Sequence, residues 1–275
     1  MYPYVVVFGM GFYDILLAIA VVLSLFLADR MGIYRGFSVK LQKTLIFSIV
    51  VAVVCGLAGA VLFQSVYDWI DKGTFSLNSG MTFYGGLIFG VVFFLLAWFL
   101  LGKYYGKSDE AKKQFGSVAD IAACIIPLAH GLGRLGCLTA GCCHGKPTDA
   151  WYGINMYTEQ GWQKAVPVQL FEAIVLFLLS AVLFRVFFKK FGKENKGRFP
   201  LLPTYAIGYG VWRFAIEYAR GDDVGATIVS FLSPSQLIAL LMIGAGLAYF
   251  CVWYYRKKKA VTPTCEANTE NNVEE

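Results

Sequence analysis

Apolar residues along this chain fall into long, nearly uninterrupted blocks separated by short polar stretches that carry Lys and Arg. Neither the period of two of a half-buried strand nor the one-sided stripe of a soluble helix dominates. A block of about 18 or more apolar residues can cross a hydrocarbon core of roughly 30 Å as a helix. Seven blocks reach or approach that length: Tyr13 to Ala28, Thr44 to Gln64, Met81 to Leu101, Ser117 to Leu132, Val168 to Phe188, Leu202 to Ala219 and Gln236 to Tyr255. The pattern predicts an all-α integral membrane protein with about seven transmembrane helices. Met1 to Val7 lacks the basic start and small-residue cleavage site of a removed leader, so the first block is expected to stay.

Composition narrows the class. Of 275 residues, 57% are hydrophobic and 15% charged, with a mean hydropathy of +0.59, against roughly 25% charged in a soluble protein. So little polar surface cannot cover so much apolar surface in water, which argues against a soluble enzyme, a disordered chain or a nucleic-acid partner. The net charge of +6 reflects topology. Seventeen of the 24 Lys and Arg follow the odd-numbered blocks: Arg30 to Lys43, Lys103 to Lys113, Lys189 to Arg198 and Arg256 to Lys259. Short basic loops stay cytoplasmic, so the N-terminus is expected outside and the C-terminus inside. One membrane domain, 1–259, is then expected, with a Gly/Cys-rich outer loop or small head at 133–167. A polar stretch at 260–275 reads as a disordered cytoplasmic tail.

Ionisable groups inside apolar blocks are costly unless they face a cavity or one another. In the sixth block Tyr209, Arg213, Glu217 and Arg220 follow at intervals of four, four and three, so they share a helix face. That is either a structural ladder or an anion site, since two arginines around one glutamate leave a guanidinium for bidentate phosphate binding. Gly131-Leu-Gly133-Arg134-Leu-Gly136 formally matches a dinucleotide fingerprint, but no βαβ unit frames it. Its glycines instead permit close backbone approach to a ligand beside Arg134, for which a lipid phosphate is the natural partner. Cys137, Cys142, Cys143 and His144 form C-x4-C-C-H. Adjacent cysteines rarely chelate one metal comfortably; a Cys137 disulfide with either partner, a structural metal and plain loop packing all remain open. Tyr84 before Gly85-Gly86, and Tyr13, read as interfacial anchors or as hydroxyls that touch a lipid; a phenol is a weak base at neutral pH. Pro167-Val-Gln169-Leu-Phe-Glu172 opens the fifth block with polar groups at the outer boundary.

Taken in order, these pieces resemble the bacterial prolipoprotein diacylglyceryl transferases. The resemblance runs from Tyr13 to about Tyr255 on Phe12-Tyr13-Asp14, Phe83-Tyr84-Gly85-Gly86, Gly133-Arg134-Leu135-Gly136, Gly141 and Gly145, Pro167 to Glu172, and Tyr209-Gly210-x-x-Arg213-x-x-x-Glu217-x-x-Arg220. It implies transfer of the diacylglyceryl group from phosphatidylglycerol to the lipobox cysteine of a prolipoprotein, with release of glycerol phosphate. The setting it implies is the bacterial plasma membrane, with the site toward the outer leaflet. It further implies catalytic roles for Arg134, Arg213 and Tyr84, and substrate contacts from Tyr13, Gly85, Gly86, Gly133, Gly136, Gly145, Gln169, Tyr209, Glu217 and Arg220. No metal and no cofactor are expected. The family commonly has His where this chain has Tyr84, and Asn where it has Cys137, so Tyr84, His144 and His130 stand in that order as candidate bases. The competing readings are a lipid transferase with another acceptor and a transporter or thiol-redox module. With the expected topology, a membrane-impermeant maleimide applied to intact cells labels a cysteine introduced at Lys164 and reaches Cys265 only after permeabilisation. The opposite pattern inverts the topology.

Overall fold

The computed structural model describes residues 10–77, 80–158, 161–190, 199–221 and 232–270, with the side chains of 158, 190 and 259–270 excepted. The basic residues Lys193, Lys196 and Arg198, and 271–275 of the expected tail, lie outside the described residues. Among the described residues seven α-helices follow in order: α1 (Phe12–Tyr34), α2 (Val39–Lys72), α3 (Phe83–Tyr104), α4 (Ser108–Ala140), α5 (Val168–Lys190), α6 (Leu201–Ile216) and α7 (Pro234–Glu270). The protein is an all-α multi-pass membrane protein. Six of the helices, all but α6, are long and apolar enough to cross a bilayer. The sixth expected span differs: α6 has 16 residues and passes into a single 3-10 turn, Glu217–Ala219. The backbone of α7 is helical through Glu270.

Two departures from the sequence expectation affect the site. The fourth block was expected to end near Leu132, yet α4 carries the Gly-Arg-Leu-Gly stretch to Ala140, so the head starts at Gly141 rather than Gly133. Gly141 stops the helix in the left-handed region at φ 77°, which a glycine enters without steric cost. Within the head, β1 (Ile154–Thr158) and β2 (Gly161–Ala165) pair antiparallel as a two-stranded hairpin. Periodicity had given no sign of it, because five-residue strands in an aromatic loop produce too little alternation.

Packing follows the chain: α2 lies on α3, α1 and α5 lie on α4, and α6 lies on α7. Without a hydrophobic drive between helices in lipid, close approach comes from small residues. Gly56, Gly59 and Ala60 of α2 face Gly85, Gly86 and Gly90 of α3 at backbone contact; a Cβ on Gly85 would sit 2.6 Å from the Gly59 carbonyl oxygen, and one on Gly56 3.1 Å from the Gly86 carbonyl oxygen. At the opposite end from the head, a buried ion pair between Arg35 and Asp120 (3.6 Å) is locked by the Leu201 amide, which donates to Asp120 (3.1 Å), and by the Phe187 ring 4.4 Å from the guanidinium. Gly59→Val drives a side chain into Phe89, and the expected result is a lower thermal unfolding midpoint in detergent. Gly244→Ala, where a Cβ meets nothing within 4 Å, leaves the midpoint unchanged or raises it, because Ala is the better helix former by about 1 kcal/mol. Equal effects of the two would contradict the α2–α3 seam.

Candidate functional site

The polar residues singled out from sequence gather at one end of the bundle, where α1, α3, α5 and α7 begin and α4 and α6 end. Their centre is Glu172, one turn into α5 and 1% exposed. Its carboxylate meets Arg134 Nε of α4 at 2.9 Å and accepts the Tyr209 hydroxyl of α6 at 2.8 Å, with His130 Nε2 3.9 Å away. The His130 ring stacks on Phe83 and meets Tyr209 edge-on. One turn beyond Tyr209, Arg213 pairs with Glu217 at 2.9 Å and donates to Ser235 Oγ at 2.7 Å. Glu217 also accepts from Ser233 Oγ at 2.7 Å and lies 3.8 Å from Arg220 Nε. Among the described residues three guanidiniums stand against two carboxylates in these networks, and buried Arg213 Nη1 has no hydrogen-bond partner. Two adjoining networks thus hold an arginine- and donor-rich patch, the arrangement an anionic phosphate would occupy.

The other expected residues lie around these networks or in the packing beside them. Tyr13 lies against Gly136, whose Cβ would sit 2.8 Å from the ring, beside the end of α4. Gln169 is fully buried and donates to the Cys142 carbonyl at 2.6 Å, anchoring the loop after α4 to the start of α5. Gly133 alone among the expected glycines opens onto free space, next to Arg134. The vacant positions at Gly85 and Gly86 are taken by α2, and that at Gly145 by Val166 and Ala219, so those three glycines serve contact within the protein. Tyr84 packs edge-on against Phe83 and, among the described residues, has no hydrogen bond to Arg134, Glu172 or Arg213. His144 turns Nδ1 to the Gly145 carbonyl at 3.0 Å.

Sequence reasoning passed over Glu172, Ser233 and Ser235 as site members. For Glu172 the signal was available: a carboxylate inside an apolar block needs a partner, and Arg134 is the cation at the matching depth of the preceding helix. Ser233 and Ser235 carry no such signal. Outside the spans, the Cys143 thiol is held below its ordinary pKa by hydrogen bonds with Cys137 and Cys142, with the Arg134 and Arg220 guanidiniums acting in the same direction, while those thiol contacts push Cys142 up. Beside the site, under the head, an open apolar groove of about 520 Å³ is lined by Trp151, Tyr152, Leu170 and Phe171 among others.

A multi-pass helical membrane protein with a buried arginine–glutamate cluster at one bundle end is the class this fold and site define. The chain belongs to the family described as prolipoprotein diacylglyceryl transferase, whose profile it matches over residues 4–252. It is 30% identical to a phosphatidylglycerol–prolipoprotein diacylglyceryl transferase of Clostridium tetani, covering 90% of this chain and 94% of that protein. It is 29% identical to the protein of that name from Proteus mirabilis (93% and 92% covered) and 28% identical to that from Haemophilus influenzae (92% and 91%). Removing one partner of a buried ion pair leaves an uncompensated charge at a cost of about 3–5 kcal/mol. Glu172→Ala is therefore expected to destabilise strongly, and Arg134→Ala/Glu172→Ala by much less than the sum of the single changes. Additive losses in that double-mutant cycle would show that the two do not depend on each other.

Proposed function

We infer that this chain transfers the diacylglyceryl group of phosphatidylglycerol to the lipobox cysteine thiol of a prolipoprotein and releases glycerol phosphate. The observation that carries the reading is the pair of buried carboxylate–arginine networks, Arg134 on Glu172 and Arg213 on Glu217, at one end of the bundle. In this reaction a thiolate attacks a glycerol carbon, the carbon–oxygen bond to the phosphodiester breaks and glycerol phosphate, a monoester, leaves as an anion, so the site must hold the phosphate and take up the thiol proton. Arg134 and Arg213 hold the departing phosphate. Glu172 and Glu217 fix the guanidiniums in place, so little reorganisation is needed as charge develops. Tyr13, Tyr209, Gln169 and Arg220 shape the headgroup pocket around the open approach at Gly133. The acyl chains remain in the surrounding lipid or lie along apolar helix faces. Tyr84 is the first candidate for the proton, with His130, already against Glu172, the second.

The basic loops support an outward-facing site, which sets the reaction at the outer leaflet of the bacterial plasma membrane, where secreted prolipoproteins emerge. Membranes carrying the wild-type protein should move label from phosphatidylglycerol onto a lipobox peptide. Arg134→Ala, expressed to the same level, should lower the rate by about 10²-fold or more, the scale for loss of one charge-stabilising donor. Tyr84→Phe should lower it if the hydroxyl takes the proton and leave it unchanged if it does not. Absence of transfer by folded wild-type protein would overturn the assignment of donor or acceptor.

A further inference from the structure

The loop that closes α4 brings together three sulfurs that the reaction, as described so far, does not use. Cys137 lies in the last turn of α4, and Cys142 and Cys143 follow the Gly141 stop. The three Sγ atoms all lie within 4.8 Å of one another. Adjacent cysteines ordinarily point apart, and the backbone is what brings these two back together. Cys143 is the only non-glycine described residue with positive φ, at 56°, a conformation that costs a side-chain-bearing residue and persists where the surroundings impose it. Two contacts impose it here: Gln169 holds the Cys142 carbonyl, and the Cys142 amide donates to the Cys137 carbonyl at 3.2 Å. All three cysteines are free thiols. Cys142 is exposed and the other two are half-buried, so the cluster has one open side. Arg134, one helical turn before Cys137, supplies positive charge at its base.

We propose that Cys137, Cys142 and Cys143 form a three-thiolate zinc site whose open fourth position takes the thiol of the acceptor cysteine. The proposal rests on the transferase reading for the identity of the acceptor. Zn–S bonds of about 2.3 Å place tetrahedral sulfurs about 3.8 Å apart, inside the observed limit. Soft thiolates select zinc over hard cations, and three protein ligands with one open position are the pattern of a zinc site that acts on a bound group. Binding releases the acceptor thiol proton to solvent, so with zinc in place neither Tyr84 nor His130 has to take it, and leaves a zinc-bound thiolate. Its sulfur forms the new bond to the glycerol carbon while the carbon–oxygen bond to phosphate breaks. The phosphate leaves as an anion against Arg134 and Arg213, and the thioether, a poor ligand, departs from zinc. No oxidant or reductant enters the step. This explains how a thiol is activated next to a tyrosine where the family commonly places an imidazole.

The test uses the full-length protein purified in detergent with phosphatidylglycerol. Metal analysis should find about one zinc per chain, and cobalt(II) replacing zinc should give a thiolate-to-metal charge-transfer absorption. Adding a lipobox peptide with its cysteine should change that absorption, and the same peptide with serine should not. Cys143→Ser should abolish the absorption. Exposed Cys142→Ser, which is safer for folding, should weaken cobalt binding strongly, and Gln169→Leu should weaken it by about 10-fold, the scale for loss of a supporting contact. A Cys137 disulfide found by mass spectrometry in protein that still transfers the lipid would overturn the proposal, as would copper in place of zinc. A cobalt spectrum that ignores the cysteine peptide would overturn the acceptor role. If the peptide changes the spectrum but no lipid is transferred, the metal site stands and the transferase reading falls.

Discussion

The Glu172 carboxylate holds the functional end of this molecule together. It is 1% exposed, so its charge is tolerable only with a cation and donors fixed around it. Arg134 comes from α4, the hydroxyl from Tyr209 on α6, and the carboxylate itself from α5. Three helices that have no hydrophobic reason to choose one another within lipid are thereby held at one relative position. Tyr209 passes the constraint along α6 to Arg213, and Arg213 passes it through Ser235 to α7. The interactions that fix the tertiary structure are the ones that place the cations on which an anion would rest.

The rest of the fold serves that arrangement with different materials. Small residues let α2 and α3 approach until their backbones touch, which places the start of α3, with Phe83 against His130, at the edge of the polar cluster. The buried Arg35–Asp120 pair does at the opposite end what Glu172 does at the site, joining the α1–α2 corner, α4 and the start of α6. Between these two polar ends the helices are packed by Leu, Phe, Ile and Trp, including fully buried Trp98, Leu176 and Phe187. The head is attached through Gly145, whose amide donates to Val166 while Lys146 donates to Ala219, so the loop after α4 is joined to the ends of both α5 and α6.

This chain keeps the family's arginines and changes what surrounds the reacting thiol. A tyrosine stands in the position of the usual histidine and packs on Phe83 rather than on the charged centre. Cys137 stands where the resemblance sets an Asn, and Cys142 and Cys143 lie beside it. The electrostatic requirement, a cation for the leaving phosphate, belongs to the donor lipid and is met by Arg134 and Arg213. The requirement to activate a thiol can be met by more than one chemistry, and it is at those positions that the sequence has moved.

Membrane class, helix order and the ordered set of arginines were legible in the sequence, because apolar block length and the cost of intramembrane charge are local properties that a linear pattern carries. Arg134, Arg213 and Glu217 stood out for that reason; in the fold Arg213 pairs with Glu217, and Arg134 pairs with Glu172. Which carboxylate each arginine chooses was not legible: Glu172 looked like a helix-boundary residue until three helices converged on it. The helical end of α4 was hidden by its glycines, which read as loop in water but pack well between membrane helices. The hairpin of the head was too short to show its period. The approach of Cys143 to Cys137 depends on a single left-handed residue and on a hydrogen bond from Gln169, some thirty positions along the chain. Spacing along the chain sets which groups are available; their meeting depends on backbone direction and long-range pairing, and those exist only once the helices have packed.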